Sequence, residues 1–215
     1  MFIIWGWRAV KAVIGTGQFF CPQCQGDTTY RHIAPRMWFT IFFLPIIPLK
    51  QLDRFVECTR CSGAFIEAVL AAPTTAQLEH NLALGNRAAV GHVISRAESL
   101  DLSVEAAALE ALASAAGVPR SYDRNLLHSD ARSFAEPATA AACLGVLAEQ
   151  ISMGAREDLL RRLIVMVERV PRRGSGMDEA IETCADALGI SRAYLLGIRE
   201  SVLRGPSPLA AEGEQ

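Results

Sequence analysis

Cys21-Pro22-Gln23-Cys24 and Cys58-Thr59-Arg60-Cys61 place four thiols in two equal spacings, with 33 residues between them. Each Cys-x-x-Cys turn holds its two sulfurs roughly 3.5–4 Å apart, which suits Zn–S bonds of about 2.3 Å. Two such turns brought together by a fold-back of the chain close a tetrahedral site around one zinc ion, with Cys21, Cys24, Cys58 and Cys61 as ligands. Gly26 and Gly63 follow the two turns and are expected to relieve the backbone there. Four cysteine ligands leave the metal no open position, so its expected role is structural rather than catalytic.

Other uses of these thiols fit less well. A thioredoxin-like redox pair is a single Cys-x-x-Cys at the start of a helix in a βαβ setting, whereas these two pairs flank a strand-rich stretch. A disulfide framework belongs to secreted chains. The apolar opening Phe2-Ile3-Ile4-Trp5-Gly6-Trp7 has no preceding basic region and no small-residue cleavage site, unlike a signal peptide. The expected location is therefore the cytoplasm, or the inner face of the membrane as a peripheral protein. His32 falls in a strand, and His80, His92 and His128 fall in helices without a paired ligand. Cys143 and Cys184 read as small buried hydrophobes. No Gly-x-Ser-x-Gly nucleophile motif and no phosphate-cradling glycine loop occurs, so the chain is read as non-enzymatic.

The elements that must position the cysteines divide the chain in two. All three Trp and eight of nine Phe lie within the first 65 residues, while the remainder is rich in Ala and Leu. Residues 1–72 carry seven Lys/Arg against four Asp/Glu, whereas the rest carries fourteen against nineteen. A net charge of -2 gives no global reason to expect nucleic acid, and seven basic residues spread without a cluster argue against it as a partner. The sequence predicts a β-rich domain over 1–70, an all-α domain over 74–204 and a disordered tail over 205–215. In the first domain, strands are expected at 28–33 and 38–44, with Pro45 and Pro48 breaking any continuous element after them. In the second, a Thr74/Gln77 capping box opens a long helix. Ser103 caps a helix running to Gly117, and a shorter one covers 121–134. Pro137 starts a fourth helix and 155–170 forms a fifth. A loop over 171–176 leads to a helix at 177–188 ending at Gly189, and Ser191 caps the last.

Residues 37–49, Met-Trp-Phe-Thr-Ile-Phe-Phe-Leu-Pro-Ile-Ile-Pro-Leu, contain one polar side chain in thirteen. That is too short for a spanning helix, which needs about 20 apolar residues. The insert can serve as the hydrophobic core of its domain, as a face that docks on the helices or on a protein partner, or as a bilayer contact. For the last, Trp5, Trp7 and Trp38 would be helped by Arg8, Lys11, Arg36 and Lys50. Trp38, Phe39, Phe42, Phe43, Ile46 and Ile47 are the candidate interface residues.

The motifs Phe2-Ile3-Ile4-Trp5-Gly6, Phe19-Phe20-Cys21-Pro22-Gln23-Cys24, the segment from Trp38 to Leu49, and Glu57-Cys58-Thr59-Arg60-Cys61 together resemble a zinc-ribbon family. That resemblance implies a small zinc ribbon with one structural Zn2+. The helical part resembles TerB-type domains, associated with tellurite resistance and stress response. The resemblance rests on the Ser103-Val104-Glu105 helix start and on 177–187 leading into Leu188-Gly189-Ile190-Ser191. The Ala-Asp-Gly that precedes these helices in that family is absent here, and Asp178 and Glu179 read as first-turn carboxylates favoured by the helix dipole. The expectation is a non-enzymatic adaptor in a tellurite, envelope or metal stress response, with an unidentified protein partner. A peripheral membrane adaptor is the alternative, and a nucleic-acid-binding ribbon ranks below both.

Overall fold

The computed structural model describes residues 5–41, 44–171 and 174–204. The chain forms two compact units that divide between Leu78 and Glu79, a few residues later than the sequence boundary.

The first unit is an antiparallel sheet. Its strands are β1 (Trp5–Cys21), β2 (Gly26–Ile41), β3 (Leu44–Gln51), β4 (Phe55–Cys58) and β5 (Ala64–Phe65), followed by a 3₁₀ turn at Glu67–Ala71. β2 is the spine. β1 pairs with it along its whole length, while β4 and β3 share its other side, at Tyr30–Ile33 and Arg36–Ile41 respectively. β5 closes a hairpin on β4.

Three features depart from the sequence expectations. The 17-residue β1 was not expected, because a register shift between Val13 and Gly15 interrupts its alternation and leaves Ile14 as a bulge. Gly17 sits within this strand because a Cβ there would come 2.9 Å from the Tyr30 ring. The second departure is that Pro45 and Pro48 do not break the chain: both lie inside β3. β3 is an edge strand with register shifts opposite β2, the setting in which proline's missing donor is tolerated. Pro35 solves the same problem within the spine. Its carbonyl accepts from Leu52 N at 2.9 Å, so its missing N–H faces that same side, in the gap between β4 and β3.

Thirdly, the apolar insert is not the core of this unit. That core is Phe19, Cys21, Val56 and Cys58, packed by Tyr30, Phe65, Val69 and Leu70. Phe19 meets Tyr30 edge-on at 5.6 Å and Phe65 at 6.0 Å. The insert instead builds the far end of β2 and all of β3, whose eight residues are exposed.

The helices are α1 (Thr75–Ser95), whose first four residues still belong to the first unit, and, in the second unit, α2 (Leu102–Ala113), α3 (Arg124–Ser133), α4 (Pro137–Ala148), α5 (Met153–Glu168), α6 (Ser175–Ala187) and α7 (Arg192–Arg204). The capping box at α1 is reciprocal: Thr74 N donates to Gln77 Oε1 at 2.9 Å, and Gln77 N donates to Thr74 Oγ1 at 3.3 Å. At α2 the cap is Asp101 rather than Ser103, because its Oδ1 accepts from Ser103 N and Val104 N. That helix ends at Ala113, short of Gly117, whose φ of +78° serves the following turn. Asp123 caps α3, which starts at Arg124 rather than 121, and Ser152 caps α5, which starts at Met153 rather than 155. Ser175 and Gly176 belong to α6 rather than to the loop before it. The tail over 205–215 lies outside the described residues.

α5 packs on α2, α6 and α7, and α6 packs on α4, α5 and α7. In α5, Leu159, Leu160, Leu163, Ile164 and Val167 are all buried, as the helical spacing predicted. Alanines at 88, 89, 107, 108 and 140 are buried, with Ala88 and Ala140 packed against Phe134.

Candidate metal centre

Both knuckles are hairpin turns. Cys21 and Cys24 stand on the β1–β2 turn, where Cys21 pairs with Gly26, and Cys58 and Cys61 stand on the β4–β5 turn. Hydrogen bonds from Cys58 N to Gly63 O and from Ser62 N to Cys58 O tighten the second turn. The Tyr30–Cys58 pairing between β2 and β4, with Thr59 N donating to Thr29 O at 3.0 Å, brings the two turns face to face.

The left-handed residue in each knuckle is not the glycine. Gln25 (φ 51°) and Ser62 (φ 56°), each directly after the second cysteine, take that conformation. Gly26 has open space where a Cβ would stand, so it relieves nothing there. Gly63 is needed for a different reason, since a Cβ would come 2.5 Å from Gln23 Oε1 and 3.1 Å from the Phe65 ring. The repeated positive φ makes the two knuckles local copies of one backbone shape.

The four Sγ atoms all lie within 4.8 Å of one another. Cys21 to Cys61 is 3.8 Å and Cys24 to Cys58 is 3.9 Å. A tetrahedron of Zn–S bonds of about 2.3 Å has S···S edges of about 3.8 Å, whereas a disulfide needs about 2.05 Å. Neither knuckle opens a helix, so neither has the setting of a redox motif. The donor set therefore fits zinc: four soft sulfurs at tetrahedral spacing, two of them buried, with no competing hard ligand in the cluster.

Burial pushes Cys24 up to about 12, and the neighbouring thiols add to it. Burial also acts against the Cys58 thiolate. Backbone N–H groups of Cys61 and Arg60 aimed at its sulfur outweigh that, and with help from neighbouring thiols its pKa falls to about 6. Thiolates within 4.8 Å of one another repel, a divalent ion among them offsets that repulsion, and zinc bound by all four has no site left for substrate. The cluster is a structural clamp for one Zn2+.

The histidines do other work. His32 Nε2 meets Glu67 Oε1 at 2.5 Å, tying the 3₁₀ turn to β2. His92 Nδ1 pairs with the Phe134 carbonyl at 2.9 Å, and His128 pairs with buried Glu105 at 2.6 Å. Arg87 grips Asp130 with both Nε and Nη2 while the Tyr122 hydroxyl donates to the same carboxylate. Cys184 is buried, which raises its thiol to about 12, and Cys143 is raised by burial as well.

Of the candidate interface residues, Trp38 and Phe39 lie half-buried on β2, and Ile46 and Ile47 are exposed on β3. Phe42 and Phe43 lie outside the described residues. The apolar surface also includes Trp7 of β1, which the sequence reading had joined to the insert, and Val10, Val13 and Ile14, which it had not. Among the described residues no helix is long and apolar enough to cross a membrane.

No curated protein and no solved structure matches the chain. A zinc-ribbon family model matches residues 19–72, about a quarter of the chain. The segment holding all four cysteines and the β2–β3 insert is thus similar to zinc ribbons, by family model and by ligand geometry alike.

Proposed function

We propose that the protein is a non-enzymatic, zinc-stabilised adaptor whose ribbon presents the β1–β2–β3 arm to a binding partner. The observation that carries this reading is the joining of a saturated four-cysteine clamp to an arm whose outer strand is exposed along its length. Exposed apolar surface of this extent on a small β unit is a contact surface by default. The polar clusters also support it. The Arg87–Asp130–Tyr122 and Glu105–His128–Arg124 groups are engaged with one another in hydrogen bonds and ion pairs. The TerB resemblance of the helices supports placing the adaptor in a tellurite, envelope or metal stress response.

A photo-crosslinking residue at position 46 or 47 of the full chain tests this in cells. Adducts to protein or lipid are expected from the arm, and not from a probe at the exposed Arg192 of α7. Absence of arm adducts, or zinc-dependent turnover lost in Cys58→Ser, would overturn the reading.

A further inference from the structure

The register of the arm sorts its residues by distance from its free end. Among the described residues the outermost rung joins Trp5, Ile41 and Leu44, the next Gly6, Thr40 and Pro45, and the third Trp7, Phe39 and Ile47. None of these rungs carries a charge. The fourth rung brings Arg8 beside Trp38 and Pro48, and behind it come Arg36 opposite Val10 and Gln51, then Lys11 opposite Pro35. Lys50 lies between Pro48 and Gln51 on the same strand. No Asp or Glu occurs in residues 5–14 or 34–51. The arm is therefore an uncharged, aromatic and aliphatic end followed by a purely basic collar.

The spacing is quantitative. Three steps of about 3.4 Å separate the outermost rung from Arg8, so the charge-free end is about 10 Å deep. Interfacial elements bury their apolar part about 5–10 Å into the headgroup and acyl boundary, with basic residues left at the anionic headgroups and Trp at the interface level. Trp38 shares its rung with Arg8, which puts an indole at the level where the collar begins.

Both faces of the arm are open. Trp7, 66% exposed, and Val10, 37% exposed, are three residues apart in a stretch of unbroken register, so their side chains leave opposite faces of the sheet. On the Val10 face a shallow groove of about 290 Å³ runs between Ala12, Ala34, Arg36 and Trp38. A protein partner docking on one face leaves the other in water, whereas a lipid phase closes around both. The free strand edges limit the depth, because unpaired backbone groups do not enter the hydrocarbon. Pro45 and Pro48 reduce the number of donors on the outer strand.

We infer that the end of the arm inserts into the headgroup–acyl interface of an anionic bilayer, with Arg8, Arg36 and Lys50 at the phosphates. This rests on the adaptor reading and names the partner of the same surface as lipid. Lys11 contributes less, because it pairs with Glu57 at 3.2 Å and lies over the Phe55 ring.

The test is flotation of the full-length, zinc-loaded protein with vesicles of phosphatidylcholine alone or mixed with phosphatidylglycerol. Binding is expected to the mixed vesicles, to fall with added salt, and to drop roughly fivefold for each arginine neutralised in Arg8→Gln and Arg36→Gln. Ile46→Asp with Ile47→Asp should abolish it while zinc content stays at one per chain. Trp fluorescence of the bound protein should shift blue and be quenched by lipids brominated near the headgroup more than by those brominated near the chain end. No binding at low salt, or binding unchanged by the arm substitutions, would overturn the inference. If flotation fails while the crosslinker at 46 or 47 captures a protein, the adaptor reading stands and lipid is excluded. If neither gives a product, both fall.

Discussion

The ribbon and the helical unit solve the same problem, holding a small fold together, by different means. In the helical unit a contiguous cluster from Ala89 to Ile198 supplies the cohesion, with α5 contributing Leu160, Leu163, Ile164 and Met166 to it. The buried cluster at the knuckles has four members, two of them metal ligands. A cluster that small stabilises little by burial, since each fully buried side chain contributes roughly 1.5–3 kcal/mol. Metal binding replaces the missing burial. The difference teaches that the ribbon can spend its aromatic residues on the surface because zinc, and not apolar packing, closes its fold.

Removing the metal should break this contrast most visibly. Structural zinc in small domains contributes roughly 10–16 kcal/mol, so chelation or Cys58→Ser should unfold the ribbon. Amide dispersion of residues in β2 and β4 should collapse while helical ellipticity stays nearly constant. Loss of the helical signal at the same chelator concentration would show that the units do not hold separately. The reciprocal change is Leu163→Ala, expected to cost about 2–5 kcal/mol. It should lower the melting temperature of the helical signal and leave zinc stoichiometry at one.

A smaller effect follows from Tyr122. Burial, and then the hydrogen bond to Asp130, raise its phenol above the ordinary value of 10.0. A raised group stabilises the fold fully below its unfolded pKa, and that contribution is lost as pH rises above about 10. Denaturant titrations should show the helical unit weakening in this alkaline range, and Tyr122→Phe should flatten the slope there. An unchanged slope in the variant would remove Tyr122 as the cause. Smallest of all, Thr74→Ala removes one half of the capping box and should cost about 1 kcal/mol. Fraying of the first turn of α1 in hydrogen exchange is the measurement.

The legible parts of the sequence were those where one residue type has one physical use. The cysteine spacing named the ligands, and Thr74/Gln77, Pro137 and Gly189 punctuated helices as their chemistry demands. The 3.6-residue period of α5 was sufficient to name its buried face. Other features depended on tertiary partners and were not legible. β1 hid behind the Ile14 bulge, which shifts its alternation by one residue. Pro45 and Pro48 look like breakers until β3 is known to be an edge strand. Gly26 and Gly63 look equivalent in sequence, yet only Gly63 is crowded, by side chains from Gln23 and Phe65. Ser103 lost the cap to Asp101 because a carboxylate two residues earlier reaches both donors.

Asp27, the third residue after Cys24, closes a further circuit within the first unit. Its carboxylate accepts from Thr75 N at 2.9 and 3.0 Å and from the Thr75 hydroxyl at 3.2 Å, across 48 residues of chain. A helix N-terminus presented with a fixed anion starts at that residue rather than sliding along the chain. Asp27 in this way ties the first residue of α1 to the strand that leaves the first knuckle, whatever holds the rest of the helix.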